Sequence, residues 1–268
     1  MKFRIIPKNL LFLRSFNLAK LNSGKIVQII FFDVIFFVSM LIVKNLVSYS
    51  NQILGVPQTI ADFYLRLFYS IVYFLALLFL YSFFKYIILN YIKSLFDRTK
   101  ISFKRLGKFY SLNIILMGIF VSVALFFNFV LFSIKAQFRP YVFIMLAVPF
   151  LLFFYTLTNL SHSIFCEDSS IKNSIKNSLS ILFRKIKSYR EIISLMILLG
   201  LILWLIFLGV GKFVNTLASR NYDLYLSIYP SFERISIVVF DLAVYFTVLI
   251  NRISFYAVIR EKSSIKNI

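Results

Sequence analysis

The sequence predicts an all-α, polytopic membrane protein with six transmembrane helices, and three observations carry that prediction. Of its 268 residues, 60% are hydrophobic and 34 are Phe, and the mean hydropathy is +0.87. A soluble domain is about half apolar and a quarter charged. Charged residues are only 15% of this chain, and they are bunched between apolar runs of about 20 residues, the length that crosses the hydrocarbon core of a bilayer. Finally, the basic residues gather on alternate connections between those runs. A water-soluble chain of this length could not bury so many such runs.

The elements follow in order. The first 25 residues, MKFRIIPKNLLFLRSFNLAKLNSGK, are interrupted six times by Lys or Arg. No small-residue cleavage pattern follows the apolar run, so they do not read as a secretory signal and insertion rests on the first span. Residues 9–25 form a basic amphipathic elbow before that span, 26–47. The second span, 64–92, continues its helical pattern as KYIILNYIKSLF and outruns the bilayer, which tilting or a cytoplasmic extension would absorb. A second elbow, 98–108, leads into the third span, 109–134. The fourth, 141–163, contains Pro149, where a kink is expected. A third elbow, 169–189, leads into the fifth span, 192–213, and the sixth is 235–257. The connections 48–63 and 214–234 are the two outer segments long enough to fold back, and the Tyr and Leu of the second suit an interface.

Charge orients the spans. With the N-terminus inside, 23 of the 30 basic residues lie on the inner side and 7 on the outer side: Lys44, Arg66, Lys135, Arg139, Lys212, Arg220 and Arg234. Both termini are therefore expected in the cytoplasm, with the chain in the cytoplasmic membrane. The net charge of +20 would suggest nucleic acid in a soluble domain. In a membrane chain it points instead to anionic lipid headgroups, and no nucleic-acid partner is expected.

The third elbow shows the pattern best. In IKNSIKNSLSILFRKIKSY, residues 171–189, Ile171, Ile175, Leu179, Leu182, Phe183, Ile186 and Tyr189 recur at helical spacing. Lys172, Lys176, Arg184, Lys185 and Lys187 occupy the remainder and are candidate contacts to anionic lipid, with Asp168 or Ser169 as N-cap. Two placements stay open: apolar face in the acyl boundary, or packed on the ends of other helices. Because each elbow precedes a pair of spans, the chain reads as three parallel units of elbow plus hairpin.

The stretch SSIKNSIKNSLSILFRKIKSYREIISLMIL before the fifth span and FYAVIREKSS after the sixth resemble a broad group of uncharacterised archaeal and bacterial six-helix membrane proteins. That group is related to the membrane domain fused ahead of some glycerophosphodiester phosphodiesterases. The resemblance implies a membrane-embedded fold over most of the chain, with a Ser-containing helix ahead of the fifth span. It implies no catalytic residue, because no phosphodiesterase domain is present here.

Chemistry is sparse. His162, the single histidine, stands four residues before the single cysteine, Cys166, with Glu167 and Asp168 following. Two such ligands fall short of a zinc site, and no oxyanion hole or orienting group accompanies them. The simplest reading is an interfacial histidine at a helix end. No HExxH, GxSxG, P-loop or GxGxxG motif occurs, so no cofactor or metal is expected.

Charges within spans are the remaining candidates. Asp33 lies about two turns inside the first span, with Lys85 and Arg252 expected at similar depth. Asp241 lies about two turns from the outer end of the sixth. They read either as ion pairs that fix helix neighbours or as a polar path. Asn128, placed mid-span, is expected to bond to another helix, and Gly200, Gly209 and Gly211 to allow close packing in the fifth span. The expected function is non-enzymatic handling of a lipid or hydrophobic molecule, or an envelope-assembly scaffold. The alternative is a transporter or permease subunit driven by a separate ATPase. The expected partner is the anionic bilayer, and a protein partner or a second copy stays open.

Overall fold

The computed structural model describes residues 11–97, 103–184, 190–218 and 222–266, and these are helical throughout apart from short connections. In chain order the helices are α1 (Leu11–Leu21), α2 (Ser23–Leu54), α3 (Ile60–Ser94), α4 (Leu106–Phe132), α5 (Arg139–Asp168), α6 (Ile171–Arg184), α7 (Arg190–Ala218) and α8 (Tyr222–Lys266), with 3-10 turns at Phe103–Arg105 and Ala136–Phe138. Five segments among the described residues are long and apolar enough to cross a membrane: Ser23–Ser50, Ile60–Ser94, Phe103–Phe132, Ala136–Asp168 and Glu191–Thr216. The protein is a multi-pass helical membrane protein. The expected sixth span, 235–257, lies inside α8, which is not among the five and carries Asp241, Asn251 and Arg252 along that stretch.

The chain divides into two compact units, Leu21–Arg184 and a second formed from Met1–Lys20 with Lys185–Ile268. In the first, α2 and α3 form an antiparallel hairpin. Its turn is shorter than the expected connection 48–63 because α2 stays helical to Leu54. Gly55, with φ of +59°, reverses the chain in a backbone region that L side chains rarely adopt. Thr59 and Asp62 then start α3 with a capping box: Asp62 Oδ2 accepts from Thr59 N at 2.9 Å, and Thr59 Oγ1 accepts from Asp62 N at 3.1 Å. The 35 residues of α3 extend about 52 Å, well beyond a core about 30 Å thick.

Aromatic pairs set the helix registers. Phe32 meets Tyr91 at 5.4 Å and Phe36 meets Phe84 at 5.7 Å between α2 and α3. Phe79 meets Tyr110 at 5.5 Å between α3 and α4. Phe120, Phe150 and Phe154 cluster between α4 and α5, with centroids 4.9 to 6.0 Å apart. Each ring pair adds about 0.5–1.5 kcal/mol beyond its buried area. Pro149 removes a backbone donor, yet α5 runs unbroken from Arg139 to Asp168.

Burial in this unit is concentrated at one end. Ile87, Ile88, Leu89 and Ile92 of α3, Phe109, Leu112 and Leu116 of α4, and Leu157, Leu160 and Phe165 of α5 form its core. Away from that end Phe37, Phe68, Ile71, Phe129 and Met145 are exposed. Only 6 to 11% of each span's most apolar window is buried. Helices that are apolar all round, yet unburied by protein, require lipid as their surroundings.

The sequence places elbows before the first, third and fifth spans, and the structure treats them differently. Residues 11–21 form α1, and 171–184 form α6. In the second elbow, 103–105 make a single 3-10 turn that runs directly into α4 at Leu106, with no separate helix among the described residues there; 98–102 lie outside the described residues.

In the second unit α7 and α8 pair antiparallel, with Phe207 and Phe240 at 6.1 Å. A Cβ on Gly211 would lie 3.9 Å from the Phe232 ring, an ordinary van der Waals distance, so the space there does not require a glycine. Around Gly200 and Gly209 a Cβ would meet open space, so the packing role expected of them is not found. The expected outer connection 214–234 is largely helical: α7 continues to Ala218, and α8 starts at Tyr222 and passes through Pro230.

Candidate functional site

The buried end of the first unit contains a connected polar chain. The α5 segment around SHS places Ser161, His162 and Ser163 in succession, and all three are buried. Three consecutive residues point to different sides of a helix, so α5 is enclosed all round at this level. His162 Nε2 lies 2.7 Å from Asn113 Oδ1 of α4. Asn113 Nδ2 donates to Ser82 Oγ of α3 at 2.9 Å, and Ser82 Oγ donates to Leu78 O at 2.6 Å. The amide oxygen can only accept, so this network assigns the proton to His162 Nε2. The Phe109 ring packs 4.9 Å from the imidazole and 5.4 Å from Phe165. His162 is thus enclosed by protein rather than exposed at a helix end, because α5 continues to Asp168 and is covered by its neighbours there.

On another side of α5, Ser161 Oγ donates to Ser178 Oγ of α6 at 2.8 Å. Ser174 and Ser178 are both buried, and Phe183 lies 6.1 Å from Phe153, so α6 folds back antiparallel along α5. The buried face of α6 runs through Ser174, Ser178 and Leu182, while Ile171, Ile175 and Leu179 are half-buried and Phe183 is 70% exposed. Small hydroxyl residues let two helices approach closely and bond, which rotates the contact face from the expected apolar stripe toward the serines.

Two lysines tie helix ends together. Lys25 Nζ of α2 donates to Ser94 O at the end of α3. Lys93 Nζ donates to Cys166 O at 2.9 Å and pairs with Glu167 at 3.4 Å. Each cation sits at the negative end of a helix dipole and satisfies a terminal carbonyl. These roles, and those of Ser82, Asn113, Ser161 and Ser178, are not visible in charge or hydropathy. The sequence signals are a lone amide in an apolar run and hydroxyls four residues apart.

Of the candidates named from sequence, Asp33 is half-buried and Lys85 is 7% exposed. The α2/α3 ring pairs put the two at similar heights on adjacent helices. Arg252 is half-buried on α8, in the other unit, and Asp241 is exposed there. Asn128 is exposed, with no hydrogen-bond partner among the described residues. It lies four residues, about 6 Å, from the end of α4 at Phe132 rather than mid-span, so water or headgroups at the helix end can satisfy its amide. Lys172 and Lys176 are exposed on α6 and Arg184 ends that helix, whereas Lys185 and Lys187 lie outside the described residues.

Comparison with protein-family models, curated proteins and solved structures gives no match. The site must be read from its own geometry. Among the described residues no three His, Cys, Asp or Glu side chains come together as metal ligands, and Cys166 is a buried free thiol. The His162–Asn113–Ser82 chain closes on a backbone carbonyl, which makes it a clasp between α3, α4 and α5.

Proposed function

We propose that the chain is a non-enzymatic, multi-pass protein of the cytoplasmic membrane that handles a lipid or another hydrophobic molecule, or scaffolds an envelope assembly. Six crossings, with α8 supplying the sixth, place both termini and the basic end in the cytoplasm. The resemblance to the six-helix membrane group belongs to this proposal and contributes no catalytic residue.

One observation carries the reading. In the first unit Lys25, Lys85, Lys93, Lys104, Arg105, Lys108, Lys172 and Lys176 collect at the same end as the buried core, as the Lys25–Ser94 and Lys93–Cys166 bonds and the proximity of Lys104 to Asp168 require. Away from that end the spans present apolar side chains outward. Basic side chains at one end of a lipid-facing bundle attract an anionic leaflet, at about 1 kcal/mol per charge near the surface. On α6, exposed Lys172 and Lys176 flank exposed Phe183, a combination suited to the headgroup–acyl boundary.

The test is gentle purification of the full chain from its native membrane, followed by mass spectrometry of what stays bound. Anionic lipid enriched over the bulk membrane, and reduced in a Lys172→Gln/Lys176→Gln variant, is the expected result. A bound lipid profile identical to the bulk membrane in both proteins sinks the leaflet reading. A stoichiometric ATPase retained with the chain replaces it with a permease subunit.

A further inference from the structure

A cleft of about 630 Å³ opens at the basic end of the first unit, between the start of α4 and the α5–α6 turn. Lys104, Arg105 and Lys108 line it on one side, and Asp168 and the Ser169–Ser170–Ile171 turn on the other. The three cations are exposed and make no ion pair among the described residues. The one carboxylate is already engaged, since Asn173 Nδ2 donates to Asp168 Oδ2 at 2.7 Å. Three cations against one carboxylate leave the lining with an excess of positive charge.

The opposite wall adds donors. Ser170 Oγ accepts from Asn173 N at 3.4 Å, and Ser170 O accepts from Ser174 N at 2.9 Å, so Ser170 caps α6. The N–H groups of Ile171 and Lys172 are left at the positive end of the helix dipole, where Ile171 borders the cleft. Ser169 borders it too, and its Oγ is buried with no hydrogen-bond partner among the described residues.

We propose that this cleft binds a phosphate-bearing group. Phosphate offers mainly acceptor oxygens and negative charge, which match three cations and a helix N-terminus; Arg105 can engage it through two parallel N–H bonds. The volume falls within the range of small-ligand pockets and exceeds that of a bare phosphate, leaving room for an attached headgroup. Lys104 in the 3-10 turn and Lys108 in the first turn of α4 lie at the level where that span begins, so a phosphate held there sits at headgroup depth. The placement rests on the proposed topology; the cleft chemistry does not, and the phosphate comes either from a lipid headgroup or from solution.

The experiment uses the full chain in neutral maltoside detergent, titrated with short-chain phosphatidic acid, short-chain phosphatidylcholine or inorganic phosphate and followed by native mass spectrometry. Phosphatidic acid is expected to bind the native chain and to bind the Lys104→Gln/Arg105→Gln/Lys108→Gln variant at least roughly tenfold more weakly. Because these side chains are exposed, the unliganded melting temperature of that variant should be unchanged. Arg105→Gln alone, expected to lose affinity to a lesser degree, answers the question if the triple variant does not fold. A Lys44→Gln/Lys135→Gln variant, with both changes exposed at the opposite end of the first unit, should bind phosphatidic acid as the native chain does. Inorganic phosphate that binds and competes at equal concentration identifies a soluble ligand, whereas phosphatidic acid binding without such competition identifies a headgroup, and both support the site. Equal binding by the native chain and the triple variant, or no binding of any probe to the native chain, overturns the proposal. If the Lys172/Lys176 variant alone loses retained lipid, the cleft is excluded while the leaflet reading stands.

Discussion

His162 illustrates how a single side chain gains its role from neighbours distant in sequence. Its bond to Asn113, and that of Asn113 to Ser82, join three helices through groups 31 and 49 positions apart. His162→Phe removes the donor and leaves Asn113 Oδ1 buried without its partner. Such an orphan costs about 1–3 kcal/mol, so this variant should melt below the native protein in detergent. An unchanged melting temperature would mean the clasp carries no stability. Ser169 gives the opposite case. Its φ of 57° is the one positive value at a non-glycine among the described residues. Glycine carries no Cβ penalty in the left-handed region, and Ser169→Gly should stabilise by about 1 kcal/mol, read as a higher melting temperature. Hydropathy ranks His162 and Ser169 alike as polar residues near a helix end. Burial of one and backbone geometry of the other separate them, and neither quantity is periodic in sequence.

The helix α6 was legible as a basic amphipathic helix, but its buried face was not. Apolar spacing picks out Ile171, Ile175, Leu179, Leu182 and Phe183, of which Leu182 alone is buried, beside Ser174 and Ser178. Hydroxyl pairing allows α6 to lie closely on α5, and the aliphatic residues become the flank. Ser178→Leu should therefore force the helices apart and lower the melting temperature, at a cost of about 1–3 kcal/mol, while Ser180→Leu on the exposed side should not. Equal effects of the two would contradict the assigned face. At the other end of the first unit the α2–α3 turn is stabilised by local chemistry. Asp62→Ala removes one half of the capping box and the acceptor for Thr59 N and Gln58 N, so it should lower the melting temperature in detergent. The motif TIAD at 59–62 carries that signal openly, since a capping box lies within four residues.

Across the whole molecule, charge asymmetry and apolar exposure make one topological prediction. Cys166 is buried, so the chain carries no accessible thiol of its own and labelling of introduced cysteines reads out sidedness. Lys176→Cys should react with a membrane-impermeant maleimide only in inside-out vesicles, and Gln58→Cys only in right-side-out ones. The reverse pattern would invert the orientation and with it the lipid leaflet proposed for the basic end.

Membrane residence, helical class and the approximate positions of five spans follow from local quantities: run length, the scarcity of charge within runs and the clustering of Lys and Arg between them. Lipid selects for these residue by residue, so no knowledge of neighbours is needed. Helix extents beyond the bilayer, the enclosure of Ser161–Ser163, the rotated face of α6 and the capture of helix ends by Lys25 and Lys93 come only from tertiary packing. Each depends on which helices are adjacent and in what register. A hydroxyl, an amide or a lysine is worth little in water and far more once its alternatives are excluded by burial.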